Sequence, residues 1–316
     1  MKDIKKEPSV TVVVSVFNFA DSVAELYQST IQSMEKTGKT VELLFVDDAS
    51  TDTTCQILSN IAEKDKRVRV LRMRSQFGEL AALEAGLKHS QGEQIVFISG
   101  RVRINPAELP KLLEALDAGK DFVMAWRYPR RDSLLNRWIS SFFNRLVSKL
   151  CKIKLNDVNS GVFATYRHVL EKVTIYGDLY NFMPVMAAQQ GYQLGEVKIE
   201  QLPGSFRVSK YPREYMQRFL DIISVFFLTR YSKKPIHFMG LLGTVFFLAG
   251  LVIEIYLFIY RILQIGPIAG RPLLILGALL LVIGIQMISI GLLGEMIIFT
   301  HAGDIEEYNI EEIING

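Results

Sequence analysis

Two carboxylates stand side by side at the end of an apolar run in "VELLFVDDAST" (residues 41–51). Adjacent like charges repel, and burying an unpaired carboxylate is costly. Asp47 and Asp48 at a strand end therefore imply hydrogen-bond donors or a ligand opposite them. Further on, "SQFGELAA" (75–82) puts Gly78 at an expected helix start. Unpaired main-chain N–H groups there favour an anion or a close backbone approach, with plain helix initiation as the alternative. Arg127, Arg130 and Arg131 follow the fifth expected strand and offer either phosphate contacts or a solvated basic face. No G-x-G-x-x-G follows the first strand, which argues against a dinucleotide-binding dehydrogenase. Cys55 and Cys151 lie in no metal-ligand spacing and fit a reduced compartment.

The elements that must position these groups can be read from periodicity. Residues 10–17, 41–46, 68–73, 94–99 and 121–126 are short runs rich in Val, Ile and Phe, as expected of parallel strands buried on both faces. Helices are expected between them, at about 21–36, 52–64, 78–90 and 106–119. Thr51 or Asp52 is a candidate cap for the second, and Pro106 sits near the start of the fourth. Such alternation implies right-handed crossovers and a doubly wound α/β sheet that binds ligands at the carboxyl ends of its strands. Asp47 and Asp48 lie at one of those ends.

The 316 residues are 49% hydrophobic, and the apolar excess is concentrated after Pro235. Segments 235–260 and 272–299 each exceed the ~20 residues that cross a bilayer, and a Gly/Pro turn joins them. A transmembrane hairpin (235–299) is expected, with a soluble domain before it (1–234) and an acidic tail after it (300–316). Glu254 and Glu295 fall inside the spans, as polar contacts to a partner helix or lipid headgroup, or as acids near the interface. Segments 133–154 and 213–234 repeat apolar residues at three- and four-residue spacing between basic ones. Next to membrane spans they read as interface helices, although the same pattern suits a core helix. The N-terminus has charges but no apolar stretch, so no signal peptide is expected and the soluble domain stays in the cytoplasm. A net charge of +3 is too small to argue for nucleic acid.

"VTVVVSVFNFADSV", "ELLFVDDASTD", "RSQFGELAALEAGL", "NDVNSGVFATYR" and "SKY" occur in the order seen in family-two glycosyltransferases. The chain resembles that family, which has the GT-A fold, and within it the group of dolichol-phosphate mannose synthase and bactoprenol glucosyl transferases. The resemblance implies a nucleotide-sugar site built from Ser15, Phe17 and Asn18 after the first strand, Asp48 at the base and ribose, and Gln76 and Gly78. Asp47 either contacts the same nucleotide or accepts N–H bonds in its own turn. Asp157 matches the acid that faces the acceptor, which it would orient rather than deprotonate, because a lipid phosphate is already ionised. Lys210 matches an acceptor-phosphate ligand. The family's upstream Arg is displaced, with Ser205 at its place and Arg207 two residues on. Arg127 is a further phosphate candidate.

One stretch departs from the family. The fourth strand is expected to end in an acidic D-x-D pair holding Mg²⁺ or Mn²⁺ on the diphosphate. "VFISGRVRINPAEL" (96–109) instead places Gly100 and Val102 there, flanked by Arg101 and Arg103. Hard oxygen ligands are missing before Asn105. Three readings are open: the arginines take over from the metal, donor chemistry is lost, or the diphosphate, water and an acid elsewhere hold the ion. Phe19 likewise stands where the family often has Glu.

These observations lead to an expected membrane-bound enzyme of cell-envelope glycan assembly. It would move a hexose, with glucose expected, from a UDP-sugar to an undecaprenyl-type phosphate, inverting the anomeric carbon. The expected location is the inner (plasma) membrane as a multi-pass protein, with homo-oligomers and a flippase or downstream membrane glycosyltransferase as compatible partners. A non-catalytic scaffold or nucleotide-sugar sensor is the alternative. A processive polysaccharide synthase fits less well, because two spans are few and a Q-x-x-R-W motif is absent.

Overall fold

A computed structural model describes residues 8–100, 102–130, 153–173, 182–202, 235–268 and 270–301, with single positions between 141 and 151. The chain divides into two compact units, Met1–Val225 and Phe226–Gly316.

Among the described residues, the first unit holds seven strands: β1 (Val10–Val16), β2 (Val41–Asp47), β3 (Val68–Arg72), β4 (Gln94–Ser99), β5 (Phe122–Arg127), β6 (Val162–Tyr166) and β7 (Leu194–Ile199). Their order across the sheet is β3-β2-β1-β4-β6-β5-β7. β1 is parallel to both β2 and β4, and β5 is parallel to β7. β6 runs antiparallel between β4 and β5, the exception in a mostly parallel sheet. The five strands expected from the sequence are present within a residue or two at each end; β6 and β7 are additional.

Alternation along β1 sends Val10, Val12, Val14 and Val16 into one apolar cluster and Val13 into the other. Burying each such side chain contributes about 1.5–3 kcal/mol. On the first face pack α1 (Val23–Glu35), α2 (Thr54–Lys64) and α4 (Pro110–Asp117). The second receives α3 (Glu79–His89) and α6 (Met183–Gln189); α5 (Arg167–Lys172) also buries Val169 and Leu170 there. The described parts of segment 133–154 belong to that core as well, since Val147 and Ile153 are buried in it. For those positions the apolar stripe is a core face and not an interface face. The rest of that segment lies mostly outside the described residues, and all of 213–234 does.

Helix starts follow the loop chemistry. Gly78 is the N-cap of α3, as expected. Before α2 the N-cap is Thr53, and Asp52 instead accepts a bond from the Thr54 N–H at 2.9 Å. Pro106 opens a 3₁₀ turn (Pro106–Glu108), which Asn105 caps at the Ala107 N–H, 3.1 Å away.

The second unit holds α7 (Pro235–Ile262) and α8 (Pro272–His301). At 1.5 Å per residue each is longer than the ~30 Å hydrocarbon core. Their apolar windows are only 17% and 11% buried, so most of that surface needs lipid or protein around it. The two helices touch through glycines: a Cβ on Gly250 would meet the Gly277 carbonyl at 2.7 Å, and one on Gly243 the Gly284 carbonyl at 2.7 Å. At the turn, the Arg271 guanidinium donates to the Tyr260 hydroxyl at 2.9 Å and lies over its ring. Among the described residues, Glu254 Oε1 and Glu295 Oε2 are buried without a hydrogen-bond partner.

Candidate active site

Chain order reverses direction across the sheet between β1 and β4: β2 and β3 are added on one side of β1, then β4 on the other. That reversal leaves a crevice at the carboxyl ends of β1 and β4. A cleft of about 350 Å³ occupies it, lined by the loops after β1, β2 and β4 and the start of α3.

Its first wall is the loop after β1, with Ser15, Phe17, Asn18 and Phe19. Phe17 is 40% exposed, an apolar ring left open at a polar mouth. Hydrogen bonds tie this loop to the one after β2 and to the start of α2. Asn18 N–H donates to Ser50 Oγ (2.9 Å), Phe19 N–H to Thr54 Oγ1 (2.8 Å) and Ala20 N–H to Asp52 (3.3 Å), while Asn18 Oδ1 accepts from Thr51 N–H (2.8 Å). Asn18 and Ala49 both have positive φ, 50° and 60°. Ala rarely adopts that conformation, and such strain persists where surrounding structure enforces it.

The paired acids separate in role. Asp47 is fully buried and accepts from the Ser50 N–H (3.0 Å) and Ser50 hydroxyl, closing its own turn. It does not line the cleft. Of its two expected roles, the turn is the one the structure supplies. Asp48 does line the cleft, and its two oxygens accept from the N–H groups of Phe77 (2.7 Å) and Gly78 (3.0 Å). Those bonds fix the Gln76–Gly78 wall. Each carboxylate oxygen keeps lone-pair capacity for a ligand hydroxyl or N–H.

Gly100 and Arg103 form the third wall. The backbone at Gly100 crosses β1 so closely that a Cβ would lie 2.3 Å from the Ser15 carbonyl oxygen. Val102 is partly buried against the apolar core. Of the two expected acid positions, the first has no space for a side chain and the second packs its side chain against the core instead of lining the cleft. Arg103 is exposed, lines the cleft, and donates to the Ser22 hydroxyl. Arg101 lies outside the described residues.

Asp157 sits apart from that cleft, in the loop before β6. It is 1% exposed; Arg127 Nε donates to its Oδ2 at 2.6 Å and Arg127 Nη2 to its Oδ1 at 2.9 Å. Arg130 approaches at 3.8 Å. Burial alone would raise the Asp157 pKa, but the charge and hydrogen bonds of Arg127, with the charge of Arg130, hold it below the usual carboxylate range. Asp157 is therefore an ionised anchor. Arg127, expected to meet phosphate, is turned to Asp157 and to the Asn159 carbonyl (2.9 Å), because a buried carboxylate needs a counter-ion. Glu196 on β7 accepts the N–H groups of Asn156 (2.7 Å) and Asp157 (2.9 Å), which holds the loop in place. Lys210 and Arg207 lie outside the described residues.

Ser15, Phe17, Asn18, Asp48, Gln76, Gly78 and Arg103 thus share one cleft. Asp21, Ser22 and Glu79 also line it and were not expected. Glu79 directly follows Gly78 at the start of α3, and its carboxylate takes a hydrogen bond from the Ser99 hydroxyl. Acids in the first turn of a helix are common for dipole reasons alone, which hides a site residue among structural ones.

Comparison with known proteins identifies the family to which the chain belongs. A family model described as Glycosyl transferase family 2 matches residues 11–174. The dodecaprenyl-phosphate galacturonate synthase of Rhizobium johnstonii is 30% identical over 301 residues, covering 93% of this chain and 89% of that protein. Among solved structures, glucosyl-3-phosphoglycerate synthase from Mycobacterium tuberculosis, in complex with Mn²⁺, UDP and glucosyl-3-phosphoglycerate, superposes with a TM-score of 0.54. Its identity is 18%, over 70% of this chain and 80% of that one. A crystal structure described only as that of a mycobacterial protein gives 0.54 at 17% identity, over 70% and 74%. At those identities the structural likeness speaks for the GT-A-type fold. With a family model matched across β1 to α5 and a relative matched along nearly the whole chain, this protein belongs to glycosyl transferase family 2 and is a glycosyltransferase.

Proposed function

We propose that the enzyme transfers a hexose, glucose, from a UDP-sugar to a polyprenyl phosphate, inverting the anomeric carbon, at the cytoplasmic face of a membrane that its C-terminal hairpin spans. One observation carries this reading. The 301-residue match to a polyprenyl-phosphate sugar synthase is too long to stop before residue 235, so it includes the apolar helices. An acceptor too apolar to leave the bilayer suits a catalytic unit joined to two such helices.

In the proposed reaction the uridine lies against the Phe17 and Asn18 wall, with Asp48 accepting from its base or ribose. An oxygen of the acceptor phosphate donates its electron pair to the anomeric carbon. The bond from that carbon to the β-phosphate oxygen breaks, and its electron pair leaves with UDP. No proton moves, because the acceptor is already ionised. Asp157 acts through Arg127 and the loop it anchors. Lys210 and Arg207 are the proposed ligands of the acceptor phosphate.

The test is turnover of the full-length protein in detergent with undecaprenyl phosphate and radiolabelled UDP-glucose, UDP-galacturonate, UDP-GlcNAc and GDP-mannose in parallel. Labelled lipid from UDP-glucose, lost in Asp157→Ala, is expected. Product from UDP-galacturonate alone would keep the acceptor and correct the sugar. No lipid product with any donor would overturn the reading.

A further inference from the structure

The fold family implies a divalent cation on the donor diphosphate, and among the described residues around this cleft no set of side chains is grouped to hold one. The chain crosses β1 at Gly100 without room for a side chain, and Val102 is partly buried against the core. Asn105 caps the 3₁₀ turn that follows. Ser99, the last residue of β4, hydrogen-bonds the Glu79 carboxylate. Asp48 gives one lone pair on each oxygen to the Phe77 and Gly78 N–H groups and keeps the rest for the nucleotide. Among the described residues no group of three His, Cys, Asp or Glu side chains is arranged to hold a metal ion. What the β4 end does present is a cation: Arg103 lines the cleft, and its guanidinium is anchored by the Ser22 hydroxyl at the start of α1.

We propose that Arg103 meets the charge of the donor diphosphate in place of a protein-held divalent cation. This deepens the donor reading above and rests on it. A guanidinium remains charged at any working pH and presents several donors in a plane, which matches phosphate oxygens. Held by Ser22, it is positioned before the ligand arrives, and its charge offsets the negative charge that grows on the leaving β-phosphate oxygen. Gly100, three residues earlier, is pressed onto β1 and brings no side chain into the cleft that Arg103 lines.

Calorimetric binding of UDP, GDP and uridine to the full-length protein in detergent tests this, in Mg²⁺, in Mn²⁺ and in excess EDTA. UDP is expected to bind as tightly in EDTA as with either metal. Arg103→Ala should weaken UDP by about 10- to 100-fold, the effect of losing a charge-assisted contact, and leave uridine unchanged. Arg103→Lys, which keeps the charge but not the fork, should fall between them and guards against a folding defect. UDP binding that collapses in EDTA would overturn the proposal and leave the nucleotide reading standing. Arg103→Ala weakening UDP and uridine equally, or neither, would also overturn it. Failure of all three ligands to bind would remove both readings.

Discussion

Arg127 closes on both carboxylate oxygens of Asp157, at 2.6 and 2.9 Å, across 30 residues of chain and almost out of reach of water. A fork of this kind fixes two loops at once, the one leaving β5 and the one entering β6. It also keeps the Asp157 carboxylate ionised. A buried carboxylate with its counter-ion in place stays ionised, which suits the positioning role proposed for it above.

Breaking such a pair leaves one charge buried without its partner, at a cost of about 3–5 kcal/mol. Asp157→Asn is expected to abolish transfer and to lower the unfolding temperature. Arg127→Met combined with Asp157→Leu should recover much of the stability and none of the activity. Thermal unfolding beside turnover separates the two effects. Full activity in the double variant would give the pair a structural role only.

The neighbouring acids at the end of β2 should respond in opposite ways. Asp47→Ala removes the acceptor that closes the Ser50 turn, costing about 1–3 kcal/mol of stability with little change in saturating nucleotide binding. Asp48→Ala releases the Phe77 and Gly78 N–H groups that shape the cleft. Nucleotide affinity is expected to fall about tenfold or more while the unfolding temperature changes less. Calorimetry and thermal scans on both variants give the comparison, and equal behaviour of the two would contradict the geometry.

Much of this arrangement was legible in the chain because strand ends announce themselves. Val-rich runs mark β1, β2 and β4, and the polar residues that follow them line the cleft. Adjacency was harder to read. Asp47 and Asp48 are alike as letters, and only register and loop closure decide which one faces the ligand. β6 escaped notice because "VFATY" is a five-residue run whose place, antiparallel between β4 and β5, depends on strand order and leaves no periodic trace. The Arg127–Asp157 pair is invisible for the same reason. At Val147 and Ile153, within segment 133–154, the apolar stripe packs into the core, since a core helix and an interface helix share one pattern and only packing tells them apart.

A pH effect follows from a cluster remote from the cleft. The Asp65 pKa is lowered to about 2, chiefly by hydrogen bonds from Arg67, with burial opposing. Its folded value lies below the unfolded one near 4. The stability it contributes is therefore fully present above about pH 4 and is lost as pH falls toward 2. With Arg67 45% exposed, solvent screening limits that contribution to about 1–2 kcal/mol. The difference in unfolding temperature between wild type and Asp65→Asn should be constant from pH 7 to 5 and narrow steadily below pH 4. A gap that widens in acid would reverse the sign argued here.

In the hairpin, Gly250 touches the Gly277 carbonyl across the helix crossing, whereas a Cβ on Gly240 would meet only Ile236 of its own helix. Gly250→Val should push α7 and α8 apart at a cost of about 1–3 kcal/mol. Gly240→Val should be tolerated. Helical ellipticity followed on heating in micelles would rank the two, and an equal ranking would mean the crossing is looser than drawn.

Restoring an acid at the β4 end is the most direct challenge to the reading of the cleft. Gly100→Asp places a Cβ 2.3 Å from the Ser15 carbonyl, a contact that cannot persist without moving β1 or the turn. The same movement would disturb Ser15 and Arg103, which share the cleft. The variant is therefore expected to lose stability and UDP affinity together and to gain no Mn²⁺ site. Electron paramagnetic resonance of added Mn²⁺ reads the metal, and calorimetry reads the nucleotide. A variant that binds Mn²⁺ tightly and keeps UDP would show that the turn can yield, and that only the missing carboxylate separates this cleft from a metal-dependent one.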